Sequence, residues 1–137
     1  MSSSDETTAR PPALRILIVD DNEAAAQTTG WMVEMMGYDY HLAHTPDDAI
    51  AGADGYAPHV VLLDIGLPGM NGFDLCRLLR ALPALTGTVF IAQTGWARDD
   101  YKQRAFAAGF QQYLVKPLDF DDLAETLKVI EETVVHH

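Results

Sequence analysis

The apolar run His59-Val60-Val61-Leu62-Leu63 ends in Asp64, which opens a turn-rich stretch, Ile65-Gly66-Leu67-Pro68-Gly69-Met70-Asn71-Gly72. A carboxylate at the carboxyl end of a buried strand is where open α/β sheets place their chemistry. Three further apolar runs end in comparable residues. Residues 14–19 precede Asp20-Asp21, residues 89–92 precede Thr94-Gly95, and residues 113–115 precede Lys116-Pro117. Parallel strands in one sheet would bring these acids, the hydroxyl and the ammonium to one edge.

Clustered carboxylates at Asp20, Asp21 and Asp64 repel, and without a counter-ion at least one has a raised pKa. A divalent cation removes that problem. Carboxylates, a loop carbonyl and waters suit Mg²⁺. The plainer reading makes Asp20 and Asp21 caps of the first helix, but Asn22 already serves there and acids at a buried strand end are costly. Asp64 is then a metal ligand only, or also a nucleophile. With Lys116 neutralising one phosphoryl oxygen and Thr94 donating to another, the set suits phosphoryl transfer, which asks mainly for positioning and charge stabilisation. An ionised carboxylate attacking phosphorus gives an aspartyl phosphate. Lys116-Pro117 reads either as a strand stop or as a cis bond that turns the ammonium back towards the acids. Neither a base-poised histidine nor a serine elbow is present, so acyl transfer has no support.

The elements that must position these groups alternate strand and helix five times. Strands are expected at 14–20, 38–43, 59–64, 88–92 and 111–115. The first helix, about 23–36, has Asn22 as N-cap and Thr28, Trp31, Met32 and Met35 on one face; Gly30 weakens it and Gly37 ends it. Thr45-Pro46 supplies a cap and an N1 proline for a helix to about residue 53. Asn71 caps a third helix that turns Leu75, Leu78, Leu79 and Leu82 inward. The fourth, about 97–108, puts Tyr101, Ala105 and Ala108 on one side and stops at Gly109. Asp119 and Asp122 form a capping-box variant for a last helix burying Leu123, Leu127, Ile130 and Val134. This alternation implies right-handed crossovers and a doubly wound parallel sheet covered on both faces.

Composition limits the function classes. The formal net charge is −11, which argues against nucleic-acid binding by this chain. No apolar run approaches a membrane span. Cys76 is the single cysteine, so an internal disulfide is excluded and a reducing, cytoplasmic setting is expected. Residues 1–13 read as a disordered leader or linker, 14–135 as one domain, and His136-His137 as a tag remnant. His41, His44 and His59 lack metal-ligand spacing. Cys76 reads as a packing residue. Phe106 points away from the apolar side of its helix, either as a chance exposed aromatic or as a partner anchor, and Arg98 and Lys102 accompany it as a candidate partner face.

Taken in order, Asp20-Asp21, Asp64 with the 67–72 loop, Thr94-Gly95, Tyr113 and Lys116-Pro117 resemble the receiver domain of two-component response regulators, over about residues 14–134. The resemblance implies a flavodoxin-like five-stranded sheet of order 2-1-3-4-5 with five helices. It implies Asp64 as phosphoacceptor, and Mg²⁺ held by Asp21, Asp64 and the Gly66 carbonyl, with Asp20 acting partly through water. Thr94 and Tyr113 would be the switch pair and Lys116 the phosphoryl-binding cation. The donor would be a phosphohistidine on a histidine kinase or a histidine phosphotransfer protein, and the product a signal to a downstream effector. Such a domain phosphorylates and dephosphorylates itself rather than turning over a substrate.

Several positions depart from common members. Trp96 and Gly66 stand where the family tunes water access to the acyl phosphate. Phe110-Gln111-Gln112-Tyr113 lacks the acid common in receivers that dimerise through the fourth helix, fifth strand and fifth helix, and Leu118 replaces a frequent phenylalanine. The Thr-Gly-aromatic run is more similar to stand-alone phosphorelay proteins or the receivers of hybrid sensor kinases. Two other readings share the fold class. A haloacid-dehalogenase-type phosphatase needs a second acid two residues after its nucleophile, where Gly66 stands. A flavodoxin-like carrier needs a phosphate cradle after strand one, where Asp20-Asp21-Asn22 would repel the ligand.

Overall fold

A computed structural model of the chain describes residues 13–66, 71–95 and 99–135. Most of the expected leader, the paired C-terminal histidines, Leu67 to Met70, Trp96 and Arg98 lie outside the described residues. Five parallel strands, β1 (Arg15–Val19), β2 (Asp39–Ala43), β3 (Val60–Asp64), β4 (Val89–Thr94) and β5 (Gln112–Val115), pair in the order β2-β1-β3-β4-β5. Five helices connect and follow them: α1 (Glu23–Met35), α2 (Pro46–Tyr56), α3 (Gly72–Arg80), α4 (Asp99–Ala108) and α5 (Phe120–Val135).

Strand alternation divides the core in two. Ile16, Ile18, Val60, Leu62 and Ile91 face α1 and α5, where Ala26, Val33, Leu123, Leu127 and Ile130 meet them. Leu17, Val19, Val61, Leu63, Phe90 and Ala92 face α2, α3 and α4, which contribute Ala49, Ala53, Leu75, Leu79, Ala105 and Ala108. Continuous apolar strands are what a sheet covered on both sides requires.

The caps follow the sequence. The Asn22 side chain accepts from Ala25 N (3.0 Å), Thr45 from Asp48 N (3.0 Å), Asn71 from Phe73 N (2.7 Å), and Asp119 from Asp122 N (3.0 Å). Gly109, at φ +114°, ends α4 as expected.

Four expectations are corrected. On α1 the buried residues are Ala26, Thr29, Gly30 and Val33, whereas Trp31 and Met35 are exposed, Thr28 is exposed and Met32 only flanks the core. Tyr40 of β2 is the cause, because its ring lies where a Cβ on Gly30 would sit, 2.5 Å away, so the small residues face the sheet. On α3 Leu78 is exposed, whereas Leu82, just past the helix, packs against the core as expected. α2 runs to Tyr56 rather than residue 53, because the Arg15 guanidinium accepts the role of cap, donating to the Tyr56 and Ala57 carbonyls at 2.8–3.2 Å. β4 continues past Ala92 to Thr94, which draws Gln93 and Thr94 into the sheet.

His59 has a packing role. Its Nδ1 accepts from Arg15 N at 2.9 Å, and burial, with Arg15 nearby, lowers its pKa below the usual 6.5. Protonation removes the acceptor. The unfolded chain binds that proton first, so this stability is complete above about pH 6.5 and is lost as pH falls from there towards the folded value. The variant His59→Asn keeps an acceptor that does not titrate. Between pH 7.5 and 5.5 its Tm should fall less than that of the wild type, by about 4 °C if one net hydrogen bond is at stake. Equal losses in the two proteins would contradict this role.

Candidate metal centre

Four strands end at one edge, and alternation decides what each offers there. Asp20 stands two residues on from Ile18, Asp64 two on from Leu62, Gln93 two on from Ile91, and Lys116 two on from Leu114. The ladder extends to Lys116, whose N donates to the Thr94 carbonyl at 2.7 Å. All four therefore lie on the α1/α5 side, in a row across β1, β3, β4 and the end of β5.

Lys116 joins the row. Its Nζ donates to Asp20 Oδ2 at 2.7 Å and to Asp64 Oδ2 at 3.0 Å. The remaining carboxylate oxygens are held by backbone. Asp20 Oδ1 accepts from Asn22 N (3.0 Å), and Asp64 Oδ1 from Gly66 N (2.8 Å). Asp20 is buried to 1% exposure, Asp64 is largely buried, and Asp21 is exposed. Burial alone would lower the Lys116 pKa, but hydrogen bonds and charge from Asp20 and Asp64 outweigh it and raise it above its ordinary value. The ammonium is thus charged throughout the physiological range. The Lys116–Pro117 bond is cis.

One oxygen from each of Asp20, Asp21 and Asp64 lies within 4.8 Å of the others, close enough to share an ion. Lys116 offsets one of the three negative charges, and the two left match one divalent cation. An all-carboxylate donor set at an exposed rim suits a hard, oxygen-seeking ion. The expected trio is therefore brought together, and the ammonium lies on the two buried acids rather than on Asp21. Gly66, two residues after Asp64, is exposed, and a Cβ there would lie 3.4 Å from Asp64 Oδ1.

Thr94 is the last residue of β4 and is buried. Tyr113 pairs with Ala92 across the sheet and packs against the α2-α3-α4 core. Both belong to the opposite face from the acidic row, one strand step away. Lys102 and Phe106 are exposed on α4, Phe106 at 49%; Arg98, the third member of the expected partner face, lies outside the described residues. Sequence reasoning missed Gln93. Its signal was a polar residue two positions after Ile91, in phase with Asp64.

Comparison with known proteins covers the same residues. The response regulator receiver domain family matches residues 16–128. Over 117 residues the chain is 32% identical to the transcriptional regulatory protein TrcR of Mycobacterium tuberculosis, covering 84% of this chain and 44% of that protein. Over 115 residues it is 31% identical to the signal transduction histidine-protein kinase BarA of Escherichia coli, covering 84% of this chain and 12% of the kinase. The crystallised signal receiver domain of a DNA-binding response regulator from Colwellia psychrerythraea superposes with a TM-score of 0.81 at 32% identity, with 87% of this chain and 98% of that chain covered. The chain spans less than half the length of TrcR and about an eighth of BarA. The matched stretch runs from Ile16 in β1 through β5 and includes the whole acidic row, and on that ground the chain belongs to the response regulator receiver domain family.

Proposed function

We propose that Asp64 accepts a phosphoryl group from a phosphohistidine and that the resulting change switches the affinity of this domain for a partner. The observation that carries this reading is the Lys116 ammonium bridging Asp20 and Asp64, beside a third carboxylate that it does not touch. Asp64 Oδ1 is anchored by Gly66 N–H, so the carboxylate is oriented before any donor arrives. As its bond to phosphorus forms, the bond from phosphorus to the donor imidazole nitrogen breaks, and the electron pair stays on the imidazole. Lys116 moves from Asp64 Oδ2 to a phosphoryl oxygen. Thr94 donates to another. Asp20, Asp21, Asp64 and the Gly66 carbonyl would hold Mg²⁺, which supplies positive charge against the phosphoryl oxygens.

The donor is a histidine kinase or a histidine phosphotransfer protein, the partner class that membership of this family implies. We assign the output to Thr94 and Tyr113. When the Thr94 hydroxyl turns to the phosphoryl group, Tyr113 moves into the space it leaves, and the surface of α4 bearing Lys102 and Phe106 changes shape, with Arg98 preceding that helix in the sequence as the third residue of the partner face. A ligand shifts such an equilibrium only by its differential interaction with the two states. We read the setting as a cytoplasmic stand-alone regulator or the receiver of a hybrid sensor kinase. The net charge of −11 speaks against nucleic acid as the partner of this chain. Among the described residues no helix is long and apolar enough to cross a membrane.

Mg²⁺ should raise the Tm of the wild type, by the equivalent of about 1.4 kcal/mol at ten times its dissociation constant. Asp21→Ala should lose most of that rise, and an undiminished response would remove Asp21 from the metal set. Acetyl phosphate with Mg²⁺ should add one acid-stable, base-labile phosphoryl group, and Asp64→Asn should abolish it because an amide is a poor nucleophile. Mass spectrometry that places the group on another residue would refute the phosphoacceptor assignment.

A further inference from the structure

Gln93 is the member of the acidic row that the phosphoacceptor reading does not use. It is fully buried, and among the described residues neither its Oε1 nor its Nε2 has a hydrogen-bond partner. Such groups are rare in folded proteins, because a buried amide without partners loses its hydration for nothing. Its place is specific. Gln93 pairs in register with Asp64 on one side and Leu114 on the other. Lys116 follows Leu114 by two residues, at the end of β5, and its Nζ reaches Asp64 on β3 and Asp20 on β1. With the order β1-β3-β4-β5, the lysine stem crosses β4 on the face where Gln93 stands.

We propose that Gln93 is a positioning residue for Lys116: when Asp64 carries a phosphoryl group, Gln93 Oε1 accepts an N–H of the displaced ammonium. The proposal rests on the phosphoacceptor reading of Asp64. In the free protein two ammonium hydrogens lie on the carboxylates and the third does not reach the amide, which has no partner. Loading Asp64 draws the ammonium from Oδ2 to a phosphoryl oxygen, and that movement brings its third N–H to the amide under its stem. Gln93 therefore destabilises the free form and favours the loaded one. It acts through Lys116 and need not touch phosphorus.

The variants Gln93→Met and Gln93→Leu keep the volume and remove the amide. Thermal unfolding is followed with Mg²⁺ alone and with Mg²⁺ plus beryllofluoride, alongside a beryllofluoride titration. The expected result is a higher Tm than wild type without beryllofluoride and an affinity for it weakened about tenfold, the worth of one net hydrogen bond. An unchanged affinity would overturn the proposal and leave Gln93 as a core defect. A lower Tm in the free form would overturn it too, by showing that the amide is already satisfied there. A wild type that beryllofluoride does not stabilise would sink the phosphoacceptor reading itself, and this proposal with it.

Discussion

The Lys116 ammonium, held between Asp20 and Asp64, is the interaction on which the acidic edge depends. Asp20 is nearly inaccessible to water. Without a cation beside it the carboxylate would be a lone buried charge, and breaking such a pair costs about 3–5 kcal/mol. The lysine comes from the far side of β4, so one side chain ties β1, β3 and the end of β5 at their carboxyl ends. The arrangement is stable yet incomplete. Its geometry satisfies two acids, leaves Asp21 at the rim, and keeps an excess negative charge that suits a divalent cation.

The rest of the fold serves to hold that edge still and to connect it to a surface. Gly72 brings the start of α3 against the chain just after Asp64; its N donates to the Ile65 carbonyl at 3.3 Å, and a Cβ there would lie 2.4 Å from Ile65 Cα. The next residue, Phe73, meets Tyr101 of α4 edge-on, with ring centroids 6.3 Å apart, and the Arg104 guanidinium lies 4.5 Å from its centroid. A cation over a ring face is worth about 0.5–1 kcal/mol at an exposed site. The chain just after Asp64 and α4 are thus joined through two packed residues, Gly72 and Phe73.

Much of this was legible in the sequence, because strand ends are. An apolar run that stops at an acid or a lysine marks both the strand and the edge, and the caps Asn22, Thr45, Asn71 and Asp119 mark where the helices begin. The strand order came from resemblance to a family, since alternation alone implies a parallel sheet without ordering it. What stayed hidden depended on contacts between distant residues. The buried face of α1 is set by the Tyr40 ring above Gly30, and the periodic set Thr28, Trp31, Met32 and Met35 marked the wrong side. The end of α2 is set by Arg15, more than forty residues earlier in the chain. Gln93 lies between the apolar run 89–92 and Thr94, and only the register places it opposite Asp64.

The central claim is that Asp20, Asp21 and Asp64 share one divalent cation while Lys116 serves the buried pair. A crystal of the wild type soaked in Mn²⁺ and measured at a wavelength where manganese scatters anomalously tests it directly. One strong anomalous peak among the three carboxylates, at oxygen-ligand distances and with Lys116 still beside Asp20, is the predicted result. A map with no peak there at saturating Mn²⁺, or with the ion bound elsewhere on this acidic surface, would contradict the account.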